Sequence, residues 1–165
     1  ACAVALNMDP ETIAEGIRRA TFPGMRSEIV VSDHLTIIND SYNANPASMK
    51  AALTMLVESP HAKKVAVLGD MLELGTDAEH WHRELGRWVA EAGIDLLVCI
   101  GEMAKVITDA ACACGMKEGS VFCVSQQSEI LYHLQDVFDK DAVVLVKASR
   151  ALKLEQVVNQ LKAVA

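Results

Sequence analysis

Apolar runs of strand length alternate with longer segments of helical period along most of this chain. "EIVVS" and "LTIIND" are strand-like and are separated by "DH", a short hairpin-like link. "KKVAVLGD" is the next strand and ends in Gly-Asp. From Asp77 to Ala92, the residues Trp81, Leu85, Trp88 and Val89 recur at helical spacing. The strand "IDLLVCIG", the helix "EMAKVITDAACA", the strand "SVFCVS" and the helix "QSEILYHLQDVF" follow. The strand "DAVVLVKAS" and the helix "ALKLEQVVNQLKAV" complete the series. Strands that are apolar along their whole length, with helices between them, belong to a parallel sheet covered on both faces. The expected fold class is therefore α/β, a doubly wound, mostly parallel sheet with "EIVVS" as an antiparallel edge strand. Residues before this alternation form a different unit. "DPETIAEGIRRA" reads as a helix with an Asp N-cap and Pro at the first helical position. "TFPGMRS" reads as a Pro-Gly linker, and a boundary is placed there.

Composition narrows the class. Of the 165 residues, 52 % are hydrophobic, too many for a disordered chain, and only 4 % are aromatic, so the core is aliphatic. The formal net charge of −7 argues against a general nucleic-acid surface but leaves room for a local anion pocket. No apolar run reaches the length of a membrane span, and no secretory signal is visible. "ACAVALNMDP" lacks a starting Met and reads as a cut or processed end. The five cysteines read as reduced and mostly buried, which suits the cytoplasm. Cys112-x-Cys114 is not a zinc spacing, and no metal site is expected here.

Open α/β sheets bind ligands at the carboxyl ends of their strands. That rule selects Asp40 to Asn45, Gly69 to Gly75, Gly101-Glu102, Ser125, and Lys147 to Arg150. In "NDSYNANPASMKAAL", Asp40 is a strand-end carboxylate of the kind that accepts hydrogen bonds from a ribose diol. Asn43 and Asn45 each offer donors and an acceptor for a base edge or an amide. Asn45 before Pro46 also reads as a helix cap, which leaves Asp40, Tyr42 and Asn43 to be explained. Asp70 and Glu73 form an acid pair able to hold a cation or an amine, or an ordinary solvated loop. His80 and His82 stand two apart on a helix, diverge, and read as surface or packing residues. Lys147, Ser149 and Arg150 arrive at the start of a helix, where free amides and two cations make an anion site. Capping by Ser149 and solvation of Arg150 would account for the same residues. Arg26, in the linker, is an ordinary surface Arg or one that reaches a phosphate when domains close.

Four stretches, "NDSYNANPASMKAAL", "VAVLGDMLELG", "EAGIDLLVCIG" and "VKASRALKLEQVV", resemble the C-terminal part of the Mur ligases. The resemblance runs in order over nearly the whole chain. It implies a three-domain enzyme. The N-terminal domain holds a UDP-sugar peptide, the central one carries a Gly-Lys-Thr phosphate loop, and the Rossmann-like C-terminal one brings the incoming amino acid or dipeptide. This chain contains no Gly-x-x-x-x-Gly-Lys-[Ser/Thr]. The implied organisation is residues 1–24 as the last helix and linker of the central ATP-binding domain, and 25–165 as the C-terminal domain.

The resemblance further implies ATP-driven amide formation through an acyl phosphate in peptidoglycan synthesis. ATP and Mg²⁺ are the implied cofactors, with Mg²⁺ ligands mainly in the absent domains. D-Ala-D-Ala and UDP-MurNAc-tripeptide are the implied substrates, and this chain alone is expected to be inactive. By position, Asp40 resembles the acid on the ATP ribose and Asn43 a residue beside the adenine, with Tyr42 in the same pocket. Arg26 resembles the Arg that reaches the ATP phosphates on closure, the catalytic assignment. Lys147, Ser149 and Arg150 resemble a Lys-Gly-Ser-Arg stretch at the rim, assigned with Asp70 and Glu73 to the dipeptide substrate. Two departures stand out. Met25 is inserted where the family reads Pro-Gly-Arg, and Ala148 replaces the Gly of Lys-Gly-Ser-Arg. Were position 148 to need positive φ, Ala there would cost about 1 kcal/mol or more. A phospho-receiver signalling domain, using Asp40, Asp70 and Lys147, is the alternative; it leaves the Asn-rich motif unexplained.

Overall fold

The computed structural model describes residues 6–19, 24–32, 35–138 and 141–164. The link at Asp33-His34 and the first three residues of the Pro-Gly linker, 21–23, lie outside them. Helix α1 (Pro10–Arg19) is capped by Asp9, whose Oδ2 accepts the Thr12 amide at 2.9 Å. The remaining elements are β1 (Glu28–Val31), β2 (Thr36–Asn39), α2 (Pro46–Glu58), β3 (Lys63–Gly69), α3 (Ala78–Glu91) and β4 (Leu96–Ile100). They continue as α4 (Ala104–Ala113), β5 (Val121–Val124), α5 (Gln127–Leu134), β6 (Ala142–Lys147) and α6 (Glu155–Val164).

The six strands lie in the order β1-β2-β6-β3-β4-β5. Only β1 runs antiparallel, with Glu28 opposite Asn39, so the expected edge strand and the parallel sheet are both present. The apolar runs follow from burial on both faces. Along β3, Val65 and Val67 enter one core with Ile130 and Leu134 of α5 and Val157 and Leu161 of α6. Ala66 and Leu68 enter the other with Leu53 of α2, Leu85 of α3 and Ile107 of α4. Both cores are aliphatic.

The sheet order creates a crevice. Helices α2 and α3, which follow β2 and β3, lie on one face; α6, which follows the intervening β6, lies on the other. Loops that leave adjacent strands toward opposite faces part at the carboxyl ends and open a cleft there.

One boundary differs from expectation. The chain after Ser149 makes a 3₁₀ turn at Arg150–Leu152, and α6 starts only at Glu155. Lys153 takes a left-handed conformation with φ 51°, which breaks the helix. No glycine marks that break.

Candidate functional site

The crevice at the ends of β2, β6 and β3 has a volume of about 580 Å³. Its lining includes Tyr42, Asn43, Asn45, Leu72, Glu73 and Arg150. Three strand-end segments build it, each positioned by a different local cause.

The first segment leaves β2. The Asp40 amide donates to Val146 O at 2.9 Å, which extends the β2–β6 ladder by one bond. Its carboxylate is only 14 % exposed. Oδ1 accepts the Ser27 amide at 2.9 Å, and Oδ2 accepts Lys147 Nζ at 2.5 Å. Lys147, 1 % exposed, also donates to the Asn43 carbonyl at 2.8 Å. A buried ammonium is tolerated only when paired and hydrogen-bonded in this way. The two residues that sequence reasoning sent to different ligands therefore hold each other. Asn43 is exposed and its Oδ1 accepts the Ala44 amide at 2.8 Å. Asn45 caps α2 in a reciprocal box: its Oδ1 accepts the Ser48 amide at 2.9 Å, and Ser48 Oγ accepts the Asn45 amide at 3.0 Å.

The linker packs against this segment. Tyr42 donates its amide to Met25 O at 3.0 Å, and the Arg26 guanidinium sits 3.9 Å from the Tyr42 ring centroid. Met25, the extra residue of the linker, is left-handed with φ 68°. Beneath the segment, Asn39 joins Glu28 to Ser41: its amide donates to Glu28 Oε2 at 2.8 Å, and its Oδ1 accepts Ser41 Oγ at 2.7 Å. The Asn39 bond, the Met25 amide and Lys162 together hold the Glu28 carboxyl below its ordinary range.

The second segment leaves β3. Asp70 is buried and turned toward α4, where its oxygens accept the Glu102 amide at 2.8 Å and the Met103 amide at 3.0 Å. Free amides at a helix start suit a carboxylate cap. Glu73 is exposed on the crevice wall with φ 64°. The two acids are thus separated, one capping a helix and one facing the cleft. His82, assigned from sequence to packing or the surface, is fully buried and orders this loop. Its Nε2 accepts the Met71 amide at 2.9 Å, and its Nδ1 lies 2.6 Å from Ala78 O. Those partners require the proton on Nδ1. The signal in sequence was a lone His on the buried side of an amphipathic helix.

The third segment leaves β6. Ser149 is buried and clips this end to the β3 loop: its amide donates to Asp70 O at 2.9 Å, and its Oγ accepts the Leu72 amide at 2.8 Å. Arg150 is exposed, 3.0 Å from Glu155 Oε2, with Nη1 3.1 Å from Met25 Sδ. Ala148 is buried outside the positive-φ region, so its side chain carries no backbone strain. It packs against Gly69, where an added Cβ would come within 2.7 Å of it. Among the described residues, no three His, Cys, Asp or Glu side chains converge as metal ligands.

A sequence profile of one family, the Mur ligase glutamate ligase domain, matches residues 25–150. This chain belongs to the Mur ligase family. Among family members it is 38 % identical over 155 residues to UDP-N-acetylmuramoyl-tripeptide–D-alanyl-D-alanine ligase of Bacillus subtilis, covering 92 % of this chain and 34 % of that one. The enzyme of the same name in Escherichia coli is 32 % identical over 165 residues, covering 97 % and 35 %. MurF from Acinetobacter baumannii superposes with a TM-score of 0.83 at 29 % identity, over 96 % of this chain and 34 % of that structure. The MurF ligase of Thermotoga maritima, solved in complex with ADP, gives 0.77 at 25 % identity, over 96 % and 34 %. This Mur ligase chain spans about a third of the length of the curated relatives it matches. The phospho-receiver alternative has no support: the match is to Mur ligases, and Asp70 is a helix cap.

Proposed function

We propose that this chain is the C-terminal ligand-binding domain of an ATP-dependent ligase that adds D-Ala-D-Ala to UDP-MurNAc-tripeptide in peptidoglycan synthesis. The crevice at the β2/β6/β3 switch carries the reading, taken with the activity for which the relatives are named. Residues 25–165 form the domain in this reading, and 1–24 belong to the preceding ATP-binding one. Helix α1 buries none of its described residues, and Leu6, Met8 and Ile17 are 75 %, 42 % and 69 % exposed, which suits packing on absent polypeptide.

Each oxygen of Asp40 accepts one strong hydrogen bond and keeps a lone pair for a ribose hydroxyl. Tyr42 and Asn43 supply an exposed ring and amide beside it for the base. Arg26 is the cation placed to meet phosphate oxygens. Across the cleft, Arg150 and Glu73 present opposite charges, the pattern that a zwitterionic dipeptide requires for its carboxylate and its ammonium group. Ser149 and Asp70 hold those two segments in register. ATP supplies the phosphoryl group that turns a poor carboxylate electrophile into an acyl phosphate; this domain's share is to hold the amine in line and balance charge. The phosphate loop and the Mg²⁺ ligands are placed mainly in the other domains, and the cytoplasm is the compartment where these substrates meet.

The test is phosphate release by the full-length protein with ATP, UDP-MurNAc-tripeptide and D-Ala-D-Ala. Turnover that requires all three is expected, with none from residues 1–165 alone. Turnover indifferent to D-Ala-D-Ala would overturn the proposal.

A further inference from the structure

We infer that Lys147 is a positioning residue for the nucleotide side of the crevice and does not bind the dipeptide carboxylate. The inference rests on the ligase reading above and revises the role that reading's parent family suggested for this lysine.

The amine is 1 % exposed, so a carboxylate entering the cleft cannot reach it without prising open the wall. Its known partners are both on one side: Asp40 Oδ2 and Asn43 O. Asp40 Oδ1 in turn holds the Ser27 amide. One ammonium group therefore ties the end of β6 to the strand-end acid and the Asn43 turn, and through the acid to the linker that carries Arg26. The dipeptide side is held by separate bonds. Ser149 is fixed by Asp70 O and the Leu72 amide, and Arg150 lies against Glu155. Loss of the Lys147 amine should loosen Asp40 and Asn43 while leaving Arg150 and Glu73 in place.

The experiment uses the full-length ligase that carries this chain. Lys147→Met should raise KM for ATP about tenfold or more and leave KM for D-Ala-D-Ala within about twofold. Removing one partner of a buried pair is strongly destabilising, so the double variant Asp40→Asn/Lys147→Met, which removes both charges, is measured beside it. Its KM for ATP should be at least that of Asp40→Asn alone, with KM for D-Ala-D-Ala again within about twofold, because the lysine holds both the acid and the Asn43 turn. A rise in the dipeptide KM with that for ATP unchanged overturns the inference, in either variant. So does an equal rise in both, which marks a general structural role, or wild-type values for both. Absence of any wild-type ligation would instead overturn the ligase reading, and this inference with it.

Discussion

The carboxylate of Asp70 occupies the space that a side chain at Gly101 would need. A Cβ built on Gly101 would lie 2.3 Å from Asp70 Oδ1, and the glycine holds φ +126°. The end of β3 and the end of β4 are thereby locked together: the acid caps α4 only because residue 101 has no side chain. Gly101→Ala should destabilise the domain by about 2–4 kcal/mol, from the strained backbone and a displaced cap acting together. Urea unfolding checks it. Asp70→Asn, which keeps the shape but removes the charge and one of the two amide acceptors, should cost less, about 1–2 kcal/mol. Equal losses for the two variants would refute the steric account.

His82 gives a second prediction. Its Nε2 is the acceptor for the Met71 amide, at the root of the loop that carries Glu73. His82→Ala leaves that buried N–H without a partner and opens a cavity, so a loss of about 2–4 kcal/mol is expected. The local signature is faster hydrogen exchange at Met71. Unchanged exchange there would mean that the loop is held by Ser149 alone.

The contrast between these residues and the sequence expectations has a physical cause. Elements written by local pattern were legible: the continuous apolar strands, the Asn45-Pro46 helix start, the antiparallel edge. A crevice does lie at the strand ends that the topology rule selects, because that rule depends on topology and not on side-chain detail. Pairings across the sheet were not legible. Lys147 and Asp40 are 107 residues apart, and Asp70 meets the Glu102 amide across 32. Nothing in either local stretch says that the two charges will cancel, or that the Asp70 carboxylate will turn away from Glu73. The delayed start of α6 was hidden for a related reason, since Lys153 adopts a conformation that usually announces itself through Gly or Asn.

Glu28 yields a pH dependence. Its folded carboxyl titrates below the ordinary value of 4.5, chiefly because the Asn39 amide donates to it. Between the two values the unfolded chain binds more protons, so stability rises with pH through that window. The contribution is fully present above the unfolded value and disappears as pH falls through the folded one. Wild type and Glu28→Gln should therefore differ in urea midpoint at pH 7 and converge in acid, below the ordinary carboxyl range. A difference that persists undiminished at low pH would assign the effect to shape and not to charge.

Arg26 and Tyr42 give the last prediction, which depends on the ligase reading. The guanidinium lies 3.9 Å from the ring centroid, and the linker is pinned to the same residue by the bond from the Tyr42 amide to Met25 O. The backbone bond survives replacement of the side chain at 42 by Leu or Phe, whereas the ring contact is lost in Leu, so the two can be separated. At an exposed site a cation–π contact contributes about 0.5–1 kcal/mol. If the ring aims Arg26 toward the phosphates, Tyr42→Leu should lower kcat/KM for ATP in the full-length ligase by about two- to fivefold. Tyr42→Phe keeps the π face and should retain the wild-type value, while Arg26→Ala should cost far more than either because it removes the cation itself. The same loss in Phe and Leu variants would move the role from the ring to the hydroxyl. No loss in Arg26→Ala would show that the parked guanidinium never reaches a phosphate, and its place on Tyr42 would then be a surface contact only.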